Sequence, residues 1–410
     1  MRRLRWCAPA LAAAALLAAG CGGSSGGGGG SSSGQASSTP IRIGASLPLT
    51  GDFSEPGKAA RQGYEVWQKM VNDQGGLLGR KVQIIVRDDA SDQNTVVADY
   101  NALISRQKVD MLLGTFSSLL NLPASTVAER NRKLYVEPAG GAPDIFNRGY
   151  KHIFFAQQAT ADHQGDVFAQ YILGLPAGER PKTAAYPSLD DPFALPVLDG
   201  IRQKFEKAGI RTVYRTKYAS ENTNFDSIAN AVKSSKPDIL LHGATFADGV
   251  NFVRALGKVG FSPKYFFQTS APSFADQYSK GIGVKNTEGT FYAVSWDAKA
   301  STPGNAEFVK TFNSMFGAGE PAEDAADAFA AAQVMQAAVK AVGSISDQTK
   351  LADWIRSNSV STILGPLKWD QRGAPQGQFL IGQWQSGKSQ IVLPKAAATS
   401  QTIVKKNAGA

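Results

Sequence analysis

From Ile41 onward, short apolar runs alternate with stretches whose apolar residues recur every three to four positions. Residues 41–48 (IRIGASLP) read as a strand. The stretch after them sets Ala59, Val66, Met70 and Val71 on one helical face and stops at Gly75-Gly76. Residues 82–89 (VQIIVRDD) read as a second strand, and Val96, Val97, Tyr100, Leu103 and Ile104 space out the next helix. A strand over 110–116, a helix over 123–131 starting at Pro123, and a strand over 133–138 continue the alternation. Strand and amphipathic helix in strict succession predict a parallel sheet covered on both faces.

The rhythm then starts again. Strands are expected at 152–157, 183–188, 211–219, 238–245, 264–270 and 289–296, with helices over 162–173, 193–208, 225–234 and 248–259 between them. Three helices follow, one of them over the alanine-rich 325–343. Short strands at 365–370, 378–384 and 389–394 come next, and then a frayed tail over 395–410. The pattern predicts an α/β protein of two doubly wound parallel-sheet lobes in tandem. The length of 410 residues fits two domains better than one core.

The first forty residues follow another pattern. Arg2, Arg3 and Arg5 precede an apolar run from Leu11 to Ala19, and small residues lead to Cys21. This predicts an export signal over 1–20. The ending Leu17-Ala18-Ala19-Gly20-Cys21 resembles a bacterial lipobox, which makes Cys21 the expected lipidation site and new N-terminus. Residues 22–40 are a Gly/Ser tract, expected to tether a folded part to the membrane through that anchor. Cleavage would remove three arginines and lower the net charge from +9 to +6. It would also remove Cys7, so an acylated Cys21 leaves no free thiol. Disulfides, a thiolate zinc site and a cysteine nucleophile are then excluded. No interior run reaches the ~18 apolar residues of a spanning helix.

In an open parallel sheet, ligands bind beyond the carboxyl ends of the strands. Three such ends carry small or hydroxyl residues: Gly114-Thr115-Phe116-Ser117-Ser118, Pro138-Ala139-Gly140-Gly141 and Thr269-Ser270-Ala271-Pro272. Hydroxyls and free N–H groups beside a helix start suit a carboxylate or phosphate, although any one of these segments alone is an ordinary turn. Enzyme signatures fail. There is no G-x-S-x-G elbow, and the glycines of residues 51–59 lack P-loop spacing and its Ser/Thr. His242 reads as a structural histidine, and His152 and His163 have no triad neighbours. The pairs Asp88-Asp89 and Asp190-Asp191 are expected to cap helices or line a cleft. No basic stripe with interleaved aromatics is present, so a nucleic-acid partner is not expected. No cofactor is expected either.

In consistent order along 41–393, several segments resemble the periplasmic binding proteins of the leucine/isoleucine/valine type, the solute-binding components of ABC importers. They are IGASLPLTG, VNDQGGLLGRKV, DDASD, GTFSSLLNLPA, EPAGGAPDIFNRGYKHIF, TEGTFYA, GPLKWDQRG and QFLIGQW. The resemblance implies two hinged lobes closing on a ligand, with crossovers near Gln158–Thr160, Ser295–Trp296 and Pro375–Gly377. The first lobe would comprise 41–159 and 296–375, the second 160–295 and 376–394. It places the family's carboxylate-binding serine on Ser118, beside Ser117. The carbonyl that meets an amino group falls on Ala139, in the Ala139-Gly140-Gly141 turn, where Gly141 replaces a threonine. It puts the ammonium-binding acid in the Thr269-Ser270 segment, which has no acid. One aromatic falls on Pro56. The others fall on Pro192, with Phe193 as substitute, and on Thr245, next to Phe246.

A buried ammonium without a carboxylate partner is costly. The resemblance therefore implies a ligand gripped by its carboxylate end: a branched-chain amino acid, a small carboxylate or aromatic acid, or an amide. The expected protein is a monomeric, lipid-anchored envelope protein that passes its ligand to an ABC permease and ATPase and performs no chemistry. A sensor module of the same fold and an exported hydrolase are the readings set against it.

Overall fold

The computed structural model describes residues 39–406. The expected signal over 1–20, Cys21 and most of the Gly/Ser tract lie outside the described residues. The chain opens with β1 (Ile41–Leu47), α1 (Ser54–Asp73), β2 (Val82–Asp88) and α2 (Gln93–Ser105). It continues through β3 (Met111–Leu113), α3 (Ser118–Arg130), β4 (Tyr135–Glu137), α4 (Pro143–Phe146) and β5 (Ile153–Phe155). The five strands form one parallel sheet in the order β2-β1-β3-β4-β5. Local signals set the helix starts: Asp92 caps α2 by accepting the Thr95 N–H at 2.7 Å.

A short turn over Ala161–His163 leads into α5 (Asp166–Leu173), β6 (Thr183–Leu189), α6 (Ala194–Lys207), β7 (Arg211–Tyr218) and α7 (Phe225–Ser235). Then come β8 (Ile239–His242), α8 (Phe246–Lys258), β9 (Tyr265–Gln268), α9 (Ala275–Ile282), α10 (Val284–Thr287) and β10 (Thr290–Val294). The chain returns to the first lobe with α11 (Asn305–Phe316), α12 (Glu323–Val342), α13 (Gln348–Ser357) and the small pair β11 (Val360–Thr362) and β12 (Gly365–Leu367). It ends in the second lobe with β13 (Leu380–Gln385) and β14 (Lys388–Leu393). The second sheet runs β14-β13-β10-β9-β8-β6-β7, parallel from β7 to β10 and antiparallel at the β13–β14 edge.

The packing of α12 on α1 positions much of the site. Its alanines present a low surface, and Gly63 of α1 faces it so closely that a Cβ would lie 2.0 Å from the Ala325 carbonyl oxygen. Trp67 Nε1 donates to Gln336 Oε1 at 2.8 Å and fixes the register. The N-terminal turn of α12 is thereby carried to the carboxyl ends of the first sheet's strands. The three connections between the lobes lie side by side: Gln158 Nε2 donates to the Ser295 carbonyl at 2.7 Å, and Ala159 pairs with Gln376.

Two expectations are corrected. Helix α3 begins at Ser118, not at Pro123, which lies inside it. Pro123 is the sixth residue of the helix, past its first turn, and the ladder bond that its missing N–H would have made to the Leu119 carbonyl is given up there. The earlier start means that Ser117 and Ser118 start the helix instead of preceding it. The tail is not frayed up to residue 406. Ile403 packs on the second lobe, Val404 exchanges hydrogen bonds with the Gln383 side chain, and Lys406 Nζ donates to the carbonyls of Asn286 and Glu288.

Candidate functional site

The strand ends of both sheets converge on one cavity between the lobes. The first lobe supplies Ser117, Ser118, Ala139 and Gly141 to its wall. Ser117 caps α3 with φ +70°, a conformation unfavourable for a residue with a Cβ and typical of ligand-clamping turns. Ser118 is 1% exposed, and its Oγ accepts the Ala142 N–H at 3.0 Å. That bond fixes the hydroxyl oxygen and leaves its proton free to donate into the cavity. The turn over 138–141 is held from below by Glu137. This buried carboxyl accepts the Ala139 N–H at 3.0 Å, and burial pushes its pKa well up.

Gly140, expected at the ligand, is not in the wall. It faces Glu137 and Asn121, and a Cβ there would sit 2.6 Å from Glu137 Oε2. Its role is close packing of the turn.

The second lobe contributes Phe193, Thr245 and Ser270, again with a positive φ at Ser270 (+44°). Two further expectations fail here. Thr269 is buried, and its Oγ1 donates to the Ala244 carbonyl and accepts the Ala244 N–H, both at 2.7 Å, so it joins two strand ends and does not reach the cavity. Phe246 also lies outside the wall and packs on Phe274, whose ring does line it, with centroids 5.2 Å apart. Asp191 reaches the wall while accepting the Phe193 and Ala194 N–H groups at 2.8 and 2.9 Å.

Several wall residues had no signal in the resemblance. Phe53, three residues before Pro56, lines the cavity, its ring 5.6 Å from that of Phe116. Gln157 and Gln164 line the cavity next to the first crossover. Most important, Glu323, Asp324 and Asp327 from the start of α12 form part of the wall. Glu323 accepts from the Ser295 backbone N–H and, at 2.6 Å, from its hydroxyl, while Asp327 lies 2.7 Å from the same hydroxyl and accepts from Gln157 Nε2 at 2.6 Å. Burial raises the pKa of all three carboxyls, that of Asp324 to about 7. Acids thus reach the cavity from the first lobe, whereas the Thr269-Ser270 segment brings none. The visible signal was the 323/324/327 spacing at a helix start.

The histidines stand apart from the wall. His242 is buried between Tyr218 and Gln268, its Nδ1 2.9 Å from Gln268 Nε2 and its Nε2 2.7 Å from the Tyr218 hydroxyl. Burial lowers its pKa to about 3 and keeps it neutral. His152 pairs with Glu129 and His163 with Asp166. A roomier hollow of about 500 Å³ lies beside the crossovers, but none of the sheet-end turns over 117–118, 139–141, 245 or 270 reaches it. Among the described residues, no helix is long and apolar enough to cross a membrane.

The sequence pattern of a family described as periplasmic binding protein matches residues 40–389. Leu/Ile/Val-binding protein homolog 1 of Brucella suis is 26% identical over 352 residues, 85% of this chain and 91% of its own. Among solved structures, a leucine binding protein from Thermotoga maritima superposes with a TM-score of 0.78 at 20% identity, over 87% of this chain and 99% of its own. A solute binding protein of an ABC transporter from R. palustris, solved with benzoate, gives 0.76 at 21% identity, over 89% and 99%.

Proposed function

The chain belongs to the periplasmic binding protein family, in its Leu/Ile/Val-binding type, and from that premise we propose that it captures a small solute outside the cytoplasm and delivers it to an ABC importer. The observation that carries this reading is the convergence of strand-end residues from two lobes, Ser117, Ser118, Ala139 and Gly141 facing Phe193, Thr245 and Ser270, on one cavity. Two lobes joined by three adjacent crossovers, with a cleft between the lobes, are the construction of a hinged trap. The wall offers hydroxyls, carboxyls, amides and rings with which to hold a solute.

In this reading an acceptor group of the solute sits at the Ser118 hydroxyl and the start of α3, where free N–H groups and the helix dipole favour negative charge. The apolar part packs among Phe53, Phe116, Phe193 and Phe274. Cys21 carries the lipid and residues 22–40 the tether. The partners are a permease and ATPase, and the protein acts as a monomer.

The test is native mass spectrometry of the purified protein, with small-angle scattering before and after the bound solute is removed. A small molecule is expected to co-purify, and the protein should be more compact with it. Ligand at a hundredfold excess over Kd should add about 2.7 kcal/mol of stability. Identical dimensions with and without a solute that demonstrably binds would contradict the trap. For the anchor, Cys21→Ser should move the protein from the membrane fraction to the soluble exported fraction. A mutant that stays membrane-bound would remove the lipid from the account.

A further inference from the structure

We propose that the first lobe rests on an anionic lipid surface through the edge of its sheet where the parallel strands begin, with Leu78 entering the headgroup layer and the cations around it meeting lipid phosphates. This contact goes beyond solute capture. One of its three arguments, the tether, rests on the lipid anchor proposed above; the other two do not.

The first argument is uncompensated charge. The strands of a parallel sheet all begin at one edge. In the first sheet Arg80 and Lys81 lead into β2, Arg106 and Lys108 into β3, and Arg130 and Arg132 into β4. Cations at helix ends are ordinary, because the dipole favours them. What sets these apart is the lack of counter-ions. Among the described residues none of the six is in a salt bridge, whereas Lys58, Arg61 and Lys69 along α1 pair with Glu55, Glu65 and Asp73. The acids near the strand starts already have partners. Asp110 accepts the Arg42 N–H at 2.8 Å, Glu129 pairs with His152, and Asp347 caps α13 by accepting the Lys350 N–H at 3.0 Å.

The second argument is Leu78, which is 42% exposed beside Arg80 and Lys81. It sits at the tip of a turn closed by hydrogen bonds of 2.8 and 2.9 Å between Leu77 and Arg80. Leu78 has φ +51° and Gly79 φ +74°. Two positive φ angles in a two-residue turn ordinarily call for Asn-Gly. A leucine here stands in a backbone that disfavours it and meets water, and folding alone favours neither. An apolar tip among cations has the composition of a membrane-surface contact, with charge for the phosphates and leucine for the acyl boundary.

The third argument is where the chain enters. Arg80 donates from Nε to the Thr39 carbonyl at 2.8 Å and from Nη2 to the Pro40 carbonyl at 3.3 Å, so the chain joins the fold beside the same turn. Residues 22–40 span about 25 Å as a flexible Gly/Ser chain, which holds this edge within roughly that distance of a bilayer bearing the lipid. Stable anchoring takes a second signal beside an acyl chain, and a polybasic patch is one. The second lobe also carries cations at its strand starts, Lys182, Lys236 and Lys264, but the tether does not enter there. The cleft lies at the opposite ends of the first sheet's strands, so a protein resting on this edge keeps its cleft open to solution.

On its own such a surface binds weakly and reversibly, so the Cys21→Ser chain leaves washed membranes yet retains affinity for vesicles. The experiment is co-sedimentation of the purified full-length Cys21→Ser chain with phosphatidylcholine vesicles, with and without phosphatidylglycerol. Phosphatidylglycerol should tighten binding at least about tenfold, and the gain should vanish in about 1 M salt, where the screening length is about 3 Å. Arg106→Glu with Lys108→Glu should weaken binding at least about tenfold, since each cation near an anionic surface is worth roughly fivefold. The same charge change on the second lobe, Lys207→Glu with Lys388→Glu, should alter it less than about threefold. Leu78→Asn suits the turn, so it should keep or raise thermal stability while weakening vesicle binding about three- to tenfold. Binding that ignores phosphatidylglycerol, or equal losses in the two charge-reversed pairs, would overturn the inference. Soluble dextran sulfate that binds as tightly as the vesicles, with Leu78→Asn affecting neither, would assign the cations to a polyanion in solution and overturn the membrane contact. A chain that captures its solute but ignores anionic vesicles overturns this inference and leaves the solute-binding reading standing.

Discussion

The two walls of the cleft are built from the same kind of material and use it differently. On the first lobe, polar groups are left over. Among the described residues the Ser118 proton has no acceptor and Asp324 no donor, and Glu323 and Asp327 share one serine hydroxyl. On the second lobe several comparable groups are committed to the fold. Thr269 joins Ala244, Asp191 holds the start of α6, and Thr245 donates to Asp248 at 2.5 Å. The second lobe offers mainly rings, Phe193 and Phe274, and among the described residues the Ser270 hydroxyl and the Gln164 amide are its polar side chains in the wall that make no hydrogen bond within the fold. A wall with unsatisfied hydrogen-bonding capacity recognises, and a wall that is internally satisfied covers. On the proposed solute-binding reading, recognition then falls mainly to the first lobe and closure to the second.

The largest expected effect tests whether the second lobe's polar groups are structural. With Gln268 Nε2 donating to His242 Nδ1, His242 Nε2–H donates to the Tyr218 oxygen, and the Tyr218 proton goes to Asp248 at 2.7 Å. Tyr218→Phe leaves those buried partners unpaired and should cost about 2–3 kcal/mol of stability. Solute affinity should change less than about threefold, or under about 0.7 kcal/mol. Thermal unfolding and calorimetry on the same variant check it; a large affinity loss at unchanged stability would put this network in the recognition wall.

A smaller effect tests the first lobe. Asp324 has a pKa of about 7 in the folded protein, raised by burial and then by Glu323, with Asp327 close by and Asp191 reaching the wall from the other lobe. Unfolding returns it toward its ordinary value of about 3.8. The folded state thus holds the proton more tightly between those values, and stability falls as pH rises from about 4 to 7. Asp324→Asn removes that fall. The variant should match the wild type near pH 4 and exceed it at pH 8, on the order of 2 kcal/mol. Urea unfolding at the two pH values checks it, and a variant less stable than wild type at pH 8 would contradict it.

The fold was legible because alternation of strand and helix survives in composition alone, and so were the hydroxyl turns at 117–118 and 139–141. What was hidden has physical causes. The cleft is assembled from segments far apart in sequence, so the acids at 323–327 stand beside Ser118 only because α12 returns and packs tightly against Gly63. An aromatic in the wall comes from Phe53, not from position 56 where register-based transfer looks for one. Thr269 and Phe246 sit at the right strand ends, yet which way a side chain turns there depends on partners such as Ala244 and Phe274. Pro123 was read as a helix start because proline favours first turns, whereas the backbone at Ser117 set the start earlier.

The smallest effect concerns closure. Gln277 Nε2 of the second lobe donates to Glu55 Oε2 of the first at 3.1 Å, on exposed side chains at the edge of the cleft. Gln277→Ala should speed solute dissociation about two- to fivefold, matching an exposed contact of about 0.5–1 kcal/mol, and leave association unchanged. Stopped-flow release measures it, and a change in association alone would contradict it.

The most direct measurement removes one hydroxyl from each wall. Ser118→Ala and Thr269→Ala are nearly the same chemical change, and each is compared with wild type for the affinity of the co-purifying solute and for thermal stability. Ser118→Ala should weaken binding by roughly ten- to a hundredfold, the 1.5–3 kcal/mol of a hydrogen bond to a charged group. Thr269→Ala should lower stability by about 1–3 kcal/mol through the unpaired Ala244 N–H and change affinity less than about threefold. Equal losses of affinity in the two variants, or a larger loss at Thr269, would contradict the assignment of recognition to the first lobe.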